Sequence, residues 1–178
     1  MKTLALLPVL LAGYVALQDP VPQEPTAQHH WLQQLVGEWT CKVEASMDGQ
    51  PPTQMETVEH CRSFGATYVV AEGEGTANGT QVRTLLTIGY DVAKGTFVGT
   101  WIDTMQTHLF VYKGTLDDAR KVLTLETEGP SFGDPKQTST YRDAIEIVDA
   151  DHKRLTSSVR NADGSWTRFM TANYQRKR

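Results

Sequence analysis

The chain has 178 residues, 39% of them hydrophobic, and a net charge of −4 from 17 basic and 21 acidic side chains. That is enough for one domain with a substantial core and not enough to suggest two. Basic residues are scattered, and their one cluster, Arg176-Lys177-Arg178, is a chain end, so no nucleic-acid partner is expected.

Residues 1–17 read as a signal peptide. Lys2 supplies a thin positive region, 4–12 is an apolar run holding Pro8, and Tyr14 to Leu17 extends it. The run is shorter than the roughly 20 apolar residues of a membrane span, so the mature chain is expected to be exported, periplasmic or secreted, with no span. An uncleaved tether is the alternative, and the absence of a Cys after the run disfavours a lipoprotein anchor. Residues 18–28, with Pro20, Pro22 and Pro25, read as an extended linker ahead of a single domain over 29–178.

Within that domain, 30–36 is short and amphipathic, with Trp31, Leu32, Leu35 and Val36 on its apolar face. One or two helical turns that plug an end of the fold are expected there. Ten strands follow, at 38–46, 54–63, 67–75, 80–90, 96–103, 107–114, 121–128, 137–148, 153–160 and 165–176. Turn residues separate them. Asn78-Gly79 and Asp163-Gly164 are the strongest hairpin signals, because both residue types tolerate the positive φ of a type I′ turn. Asp48-Gly49 with Pro51-Pro52, Lys94-Gly95 and 149–151 mark further reversals, and 129–135 is a longer loop. Short sequential strands joined by tight turns predict an all-β, up-and-down antiparallel barrel with a short N-terminal helix capping one end. A β-sandwich is the competing architecture, but the Greek-key crossover and the Cys-Trp-Cys pattern are absent.

Alternation assigns the faces. Phe97, Gly99, Trp101 and Asp103 share one face, as do His108, Phe110 and Tyr112. Trp166, Met170 and Tyr174 align on the last strand, together with Arg168 and Arg176. Apolar faces carrying an occasional polar group describe either a barrel interior that holds a ligand or a packed core.

The residues also resemble a known family. Trp31-Leu32, Gly37-Glu38-Trp39, Gly89-Tyr90-Asp91, the block Gly99-Thr100-Trp101-Ile102-Asp103-Thr104-Met105, Tyr112-Lys113-Gly114, Tyr141-Arg142-Asp143 and Tyr174-Gln175-Arg176 are similar, in order and spacing, to the bacterial domain-of-unknown-function family 1579. The likeness runs over about residues 30–176. It implies a calycin shape, akin to lipocalins, fatty-acid-binding proteins and nitrobindins. It implies no activity and no catalytic residues. In calycins the Gly-x-Trp of the first strand packs on a basic residue of the last, which makes Gly37, Trp39 and Arg176 structural candidates here. Nitrobindin-type barrels hold haem through a His, which raises His108 and His152, but neither stands in a diagnostic context and no cofactor is expected.

Four groups carry candidate chemistry. Asp103 shares a face with Trp101, and is either a polar anchor for a ligand or a strand-end residue closing a turn. Arg142 and Asp143 point to opposite faces, so only one faces inward, and an inward Arg142 would favour an anionic ligand. Cys41 and Cys61 lie on consecutive strands of an exported chain, where a disulfide and two separate buried thiols are both open. His60 neighbours Cys61 but must point away from it, so the two cannot form a nucleophile–base pair, and no zinc spacing is present.

The function expected from these residues is non-catalytic binding of a small, partly apolar molecule inside the barrel. Its lining would include Trp101, Asp103, Phe110, Tyr112, Arg142, Trp166 and Met170. A cavity-less interaction module acting through its loops is the alternative, followed by a barrel enzyme. Oligomeric state is left open.

Overall fold

A computed structural model describes residues 24–46 and 52–178. The signal-peptide reading, most of the linker and the Asp48-Gly49 turn therefore lie outside the described residues.

The first strand shows why the chain folds as it does. In β1 (Gly37–Ala45) the buried residues Trp39, Cys41 and Val43 alternate with exposed Glu38, Thr40, Lys42 and Glu44. A period of two with one apolar face can only be satisfied by a sheet with that face covered. Nine strands continue the pattern: β2 (Thr53–Phe64), β3 (Tyr68–Ala77), β4 (Thr80–Asp91), β5 (Thr96–Asp103), β6 (Phe110–Leu116), β7 (Val122–Pro130), β8 (Thr138–Ile147), β9 (His152–Arg160) and β10 (Trp166–Arg176). Each pairs antiparallel with the next. β10 returns to β1 with Arg176 opposite Trp39, which closes the barrel. The β3–β4 hairpin is tight because Asn78 and Gly79 both take positive φ, as a type I′ turn requires. Around Asp163-Gly164 only the glycine does, so that loop is longer and closes through Asn161 and Ser165.

Two departures from regular pairing matter for function. At Phe169 the β9–β10 register slips between Arg168 and Met170. A bulge reverses the side-chain parity of everything before it, so Met170, Ala172 and Tyr174 face inward while Trp166 and Arg168 face out. The second departure is a seam. β6 and β7 are laddered only from Lys113 opposite Glu126 to Leu116 opposite Leu123, and beyond Lys113 the strands part. β6 also starts later than the spacing predicts. The Asp103 carboxylate accepts from the Met105 amide and the Gln106 side chain, which curls the chain after β5 and leaves 107–109 outside the strand.

One end of the barrel is plugged. Helix α1 (Ala27–Leu32) and a 3-10 turn over Gln33–Leu35 bury Trp31, Leu32 and Leu35 almost completely. Burying each apolar side chain contributes roughly 1.5–3 kcal/mol. The Trp31 indole donates to the Arg120 carbonyl in the β6–β7 turn, and the Arg120 guanidinium donates back to the Ala27 carbonyl. His29, which as a neighbour of the linker is expected to be solvated, is only 1% exposed. Its Nδ1 accepts from the Thr26 amide at 2.9 Å, and its Nε2 lies 3.1 Å from the Tyr90 carbonyl.

Candidate functional site

The interior divides into two halves. In the plugged half, Trp39 is the centrepiece, its indole donating to the Leu35 carbonyl. The Arg176 guanidinium lies 4.1 Å over the Trp39 ring and donates to the carbonyls of Val36, Gln34 and Ala150. Gly37, with φ +143°, clears that guanidinium, where a Cβ would collide with it. Beside this stack Lys153 and Glu59 form a buried ion pair at 2.5 Å, and the Lys153 ammonium also lies over the rings of Trp39 and Tyr174. These two residues come from β9 and β2, and no local motif announces them. The signal that could have found them is parity: Glu59 shares a strand face with Cys61, and Lys153 with Leu155.

The open half is different in chemistry. Asp143 enters the interior from β8, flanked on the same face by Tyr141 and Ile145. The Tyr112 hydroxyl donates to it at 2.5 Å, and Ser157 supplies a second hydrogen bond. Among the described residues no cation pairs with it. Burial pushes the Asp143 carboxyl above the usual carboxylate range against those two hydrogen bonds, and burial, then the nearby Asp143 charge, pushes the Tyr112 hydroxyl well up. Above this pair the mouth is roofed by rings. Phe110, Phe132, Tyr141 and Phe169 meet edge to face at 4.9–6.1 Å, and Phe132 is half exposed on the 131–137 loop. Asp103 sits at the rim. Its carboxylate accepts from the Trp101 indole, the Met105 amide and Gln106, so it closes the turn after β5.

The seam opens on this half. Where the β6–β7 ladder stops, a groove of about 1030 Å³ lies along the outer face of the wall. Its rim holds His108, Leu109 and Val111, and its floor reaches the inward residues Thr127 and Gly129. The His108 imidazole spans the opening to the Glu128 carbonyl at 3.1 Å, and the Phe110 ring lies against Gly129. Tyr112 is the first inward residue of β6 past the last paired rung. The rest of the interior is nearly full. Beside the Glu59–Lys153 pair, bounded by Trp101, Leu86 and Ile145, a void of about 20 Å³ has room for one water.

Of the residues expected to line the interior, Trp101, Asp103, Phe110, Tyr112 and Met170 face inward. Two do not. Arg142 is on the outer face, where it pairs with Glu126 at 2.6 Å and lies 3.8 Å over the Trp166 ring, itself outward because of the Phe169 bulge. The inward member of the pair is Asp143, which removes the ground for an anionic ligand. The possible disulfide is also corrected. Cys41 lies opposite Thr57 and Cys61 opposite Gly37, four residues apart along the strands, or about 13 Å. Both thiols are free and buried, and burial pushes them up to about 11 and about 12 respectively. His60 points outward to Glu38, and His152 to Asp149. Among the described residues no group of three or more His, Cys, Asp or Glu is placed to hold a metal ion, and no helix is long and apolar enough to cross a membrane.

Residues 24–176 match the family described as "Protein of unknown function (DUF1579)". No curated protein matches the chain in sequence. Among solved structures it is similar to Rv2717c from M. tuberculosis, with a TM-score of 0.61 and 13% identity over 87% of this chain and 100% of that one. It is also similar to the S-type phycobiliprotein lyase CPES from Guillardia theta, with a TM-score of 0.59 and 8% identity over 86% and 94%. At such identities the likeness is one of fold alone. The family match covers nearly the whole described chain, and the chain belongs to that family.

Proposed function

We propose that this protein binds a small, partly apolar molecule in the open half of its barrel, entering at the mouth and the β6–β7 seam. The observation that carries this reading is the seam itself. Closure of a meander serves to pair every strand, yet here the pairing stops where Tyr112 reaches the enclosed Asp143 carboxyl. A groove large enough for a small ligand lies on the outer face of the wall beside that gap, its floor at the inward residues Thr127 and Gly129. The void of about 20 Å³ means that binding displaces the ring cluster, of which Phe132, on a loop flanked by glycines and prolines, is the member most open to solvent.

The binding is non-catalytic in this reading. Both thiols are pushed out of the nucleophilic range, and His60 points away from Cys61. Export rests on the apolar run at 4–12. A second reading, a module that docks a protein partner, draws on the nearly full interior and on Met105, Leu109, Val111 and Phe132, which stand exposed around the mouth.

Native against denaturing mass spectrometry of gently purified protein tests the first reading. A discrete mass lost only on denaturing supports it. An unloaded protein that also fails to take up an apolar dye points to the docking module. The denaturing spectrum also reports whether residues 1–17 have been removed.

A further inference from the structure

We infer that the ligand of this barrel carries a cationic, amine-type head group that pairs with Asp143. The inference rests on the binding reading above and adds its charge.

It follows from an inventory of the inner face. Among the described residues three carboxyls point inward, Glu59, Asp103 and Asp143, and only two cations do, both engaged. Lys153 is held by Glu59 and two aromatic rings, and Arg176 by three backbone carbonyls and Trp39. The arginines nearest in sequence to the open half are turned outward, Arg142 to Glu126 and Arg83 to Glu74. Asp103 is used by its own turn. That leaves Asp143 as an enclosed carboxyl with hydroxyl donors and no counter-ion.

An enclosed carboxyl of this kind favours whatever cation reaches it, because the low-dielectric surroundings strengthen the attraction. Phe110 and Tyr141, two of the rings that roof the mouth, offer π-faces to the same cation and apolar contact to its hydrocarbon body. A carboxylate ligand would meet repulsion from Asp143 and Asp103 and find no free cation. A neutral alcohol would gain only a hydrogen bond.

Three probes with one aromatic body test the assignment: 2-phenylethylammonium, 2-phenylethanol and 3-phenylpropanoate, titrated calorimetrically into the full chain near pH 7. The expected order is ammonium first, by at least about tenfold over the alcohol, with the carboxylate last. Asp143→Asn should bring the ammonium down to the alcohol and leave the alcohol unchanged. Tyr112→Phe, which keeps the carboxyl, should preserve the ammonium preference and guards against a failure of Asp143→Asn to fold. Equal binding of ammonium and alcohol, a preference that survives Asp143→Asn, or a carboxylate that binds best would overturn the inference and leave the binding reading standing. Silence from all three probes would overturn both.

Discussion

The two ends of this barrel solve the same closure problem with opposite chemistry. At the plugged end the buried cations and indoles are spoken for: Arg176 by carbonyls, Lys153 by Glu59, and Trp31 and Trp39 by backbone oxygens. At the open end a ladder stops early, aromatic rings pack on one another instead of on a helix, and one carboxyl is enclosed with no cation beside it among the described residues. An end whose buried charges are all matched is built for stability. An end with an unmatched charge and an interrupted wall is where a barrel is able to exchange something with its surroundings.

The sharpest way to break that comparison is at the buried ion pair. Lys153→Met leaves Glu59 enclosed and uncompensated, and a loss of about 3–5 kcal/mol in urea unfolding is expected. Adding Glu59→Leu should restore much of it, since removing both partners avoids the stranded charge. Next comes a matched pair of truncations. Leu32→Ala in the plug should cost about 2–5 kcal/mol. Phe132→Ala at the mouth should cost less than about 1 kcal/mol and should speed dye uptake. Equal losses would mean that the mouth is as structural as the plug.

A pH series sharpens the picture further. Burial raises the Asp143 carboxyl, so over the intervening pH range the folded chain keeps a proton that the unfolded chain gives up near pH 3.9. Its contribution is therefore fully present below that pH and lost as pH rises through the folded value. Asp143→Asn should match wild type near pH 4 and become progressively more stable toward neutrality. A difference that stays flat with pH would show that Asp143 does not hold its proton. The smallest effect is expected outside: Arg142→Ala, which removes an exposed pair and its stacking on Trp166, should cost about 1 kcal/mol or less and leave probe affinity unchanged. Native Cys41 and Cys61 should resist a thiol reagent until the chain unfolds.

The strands were legible because alternation and turn residues are local. β5 matches its expected bounds, and the others differ by at most three residues at either end. The site was legible only in part. Trp101, Phe110 and Tyr112 follow from strand parity, but parity fails across β10, where the bulge at Phe169 inverts Trp166 with no glycine or proline to mark it. At 142 and 143 the alternation is plain and its absolute sense is not. The sense is set by packing against β7 and β9, which no single strand records. Glu59 and Lys153 stand 94 residues apart, and their pairing is a product of closure.

The hydrogen bonds of His29 also offer a spectroscopic handle. The Thr26 amide donates to Nδ1, so the ring proton sits on Nε2 against the Tyr90 carbonyl, enclosed between the plug and β4. A sheltered imidazole proton of that kind exchanges slowly and resonates far from the amide envelope. One line in a proton NMR spectrum would then report, without any label, whether the helix is docked, and its disappearance would time the plug's release independently of events at the mouth.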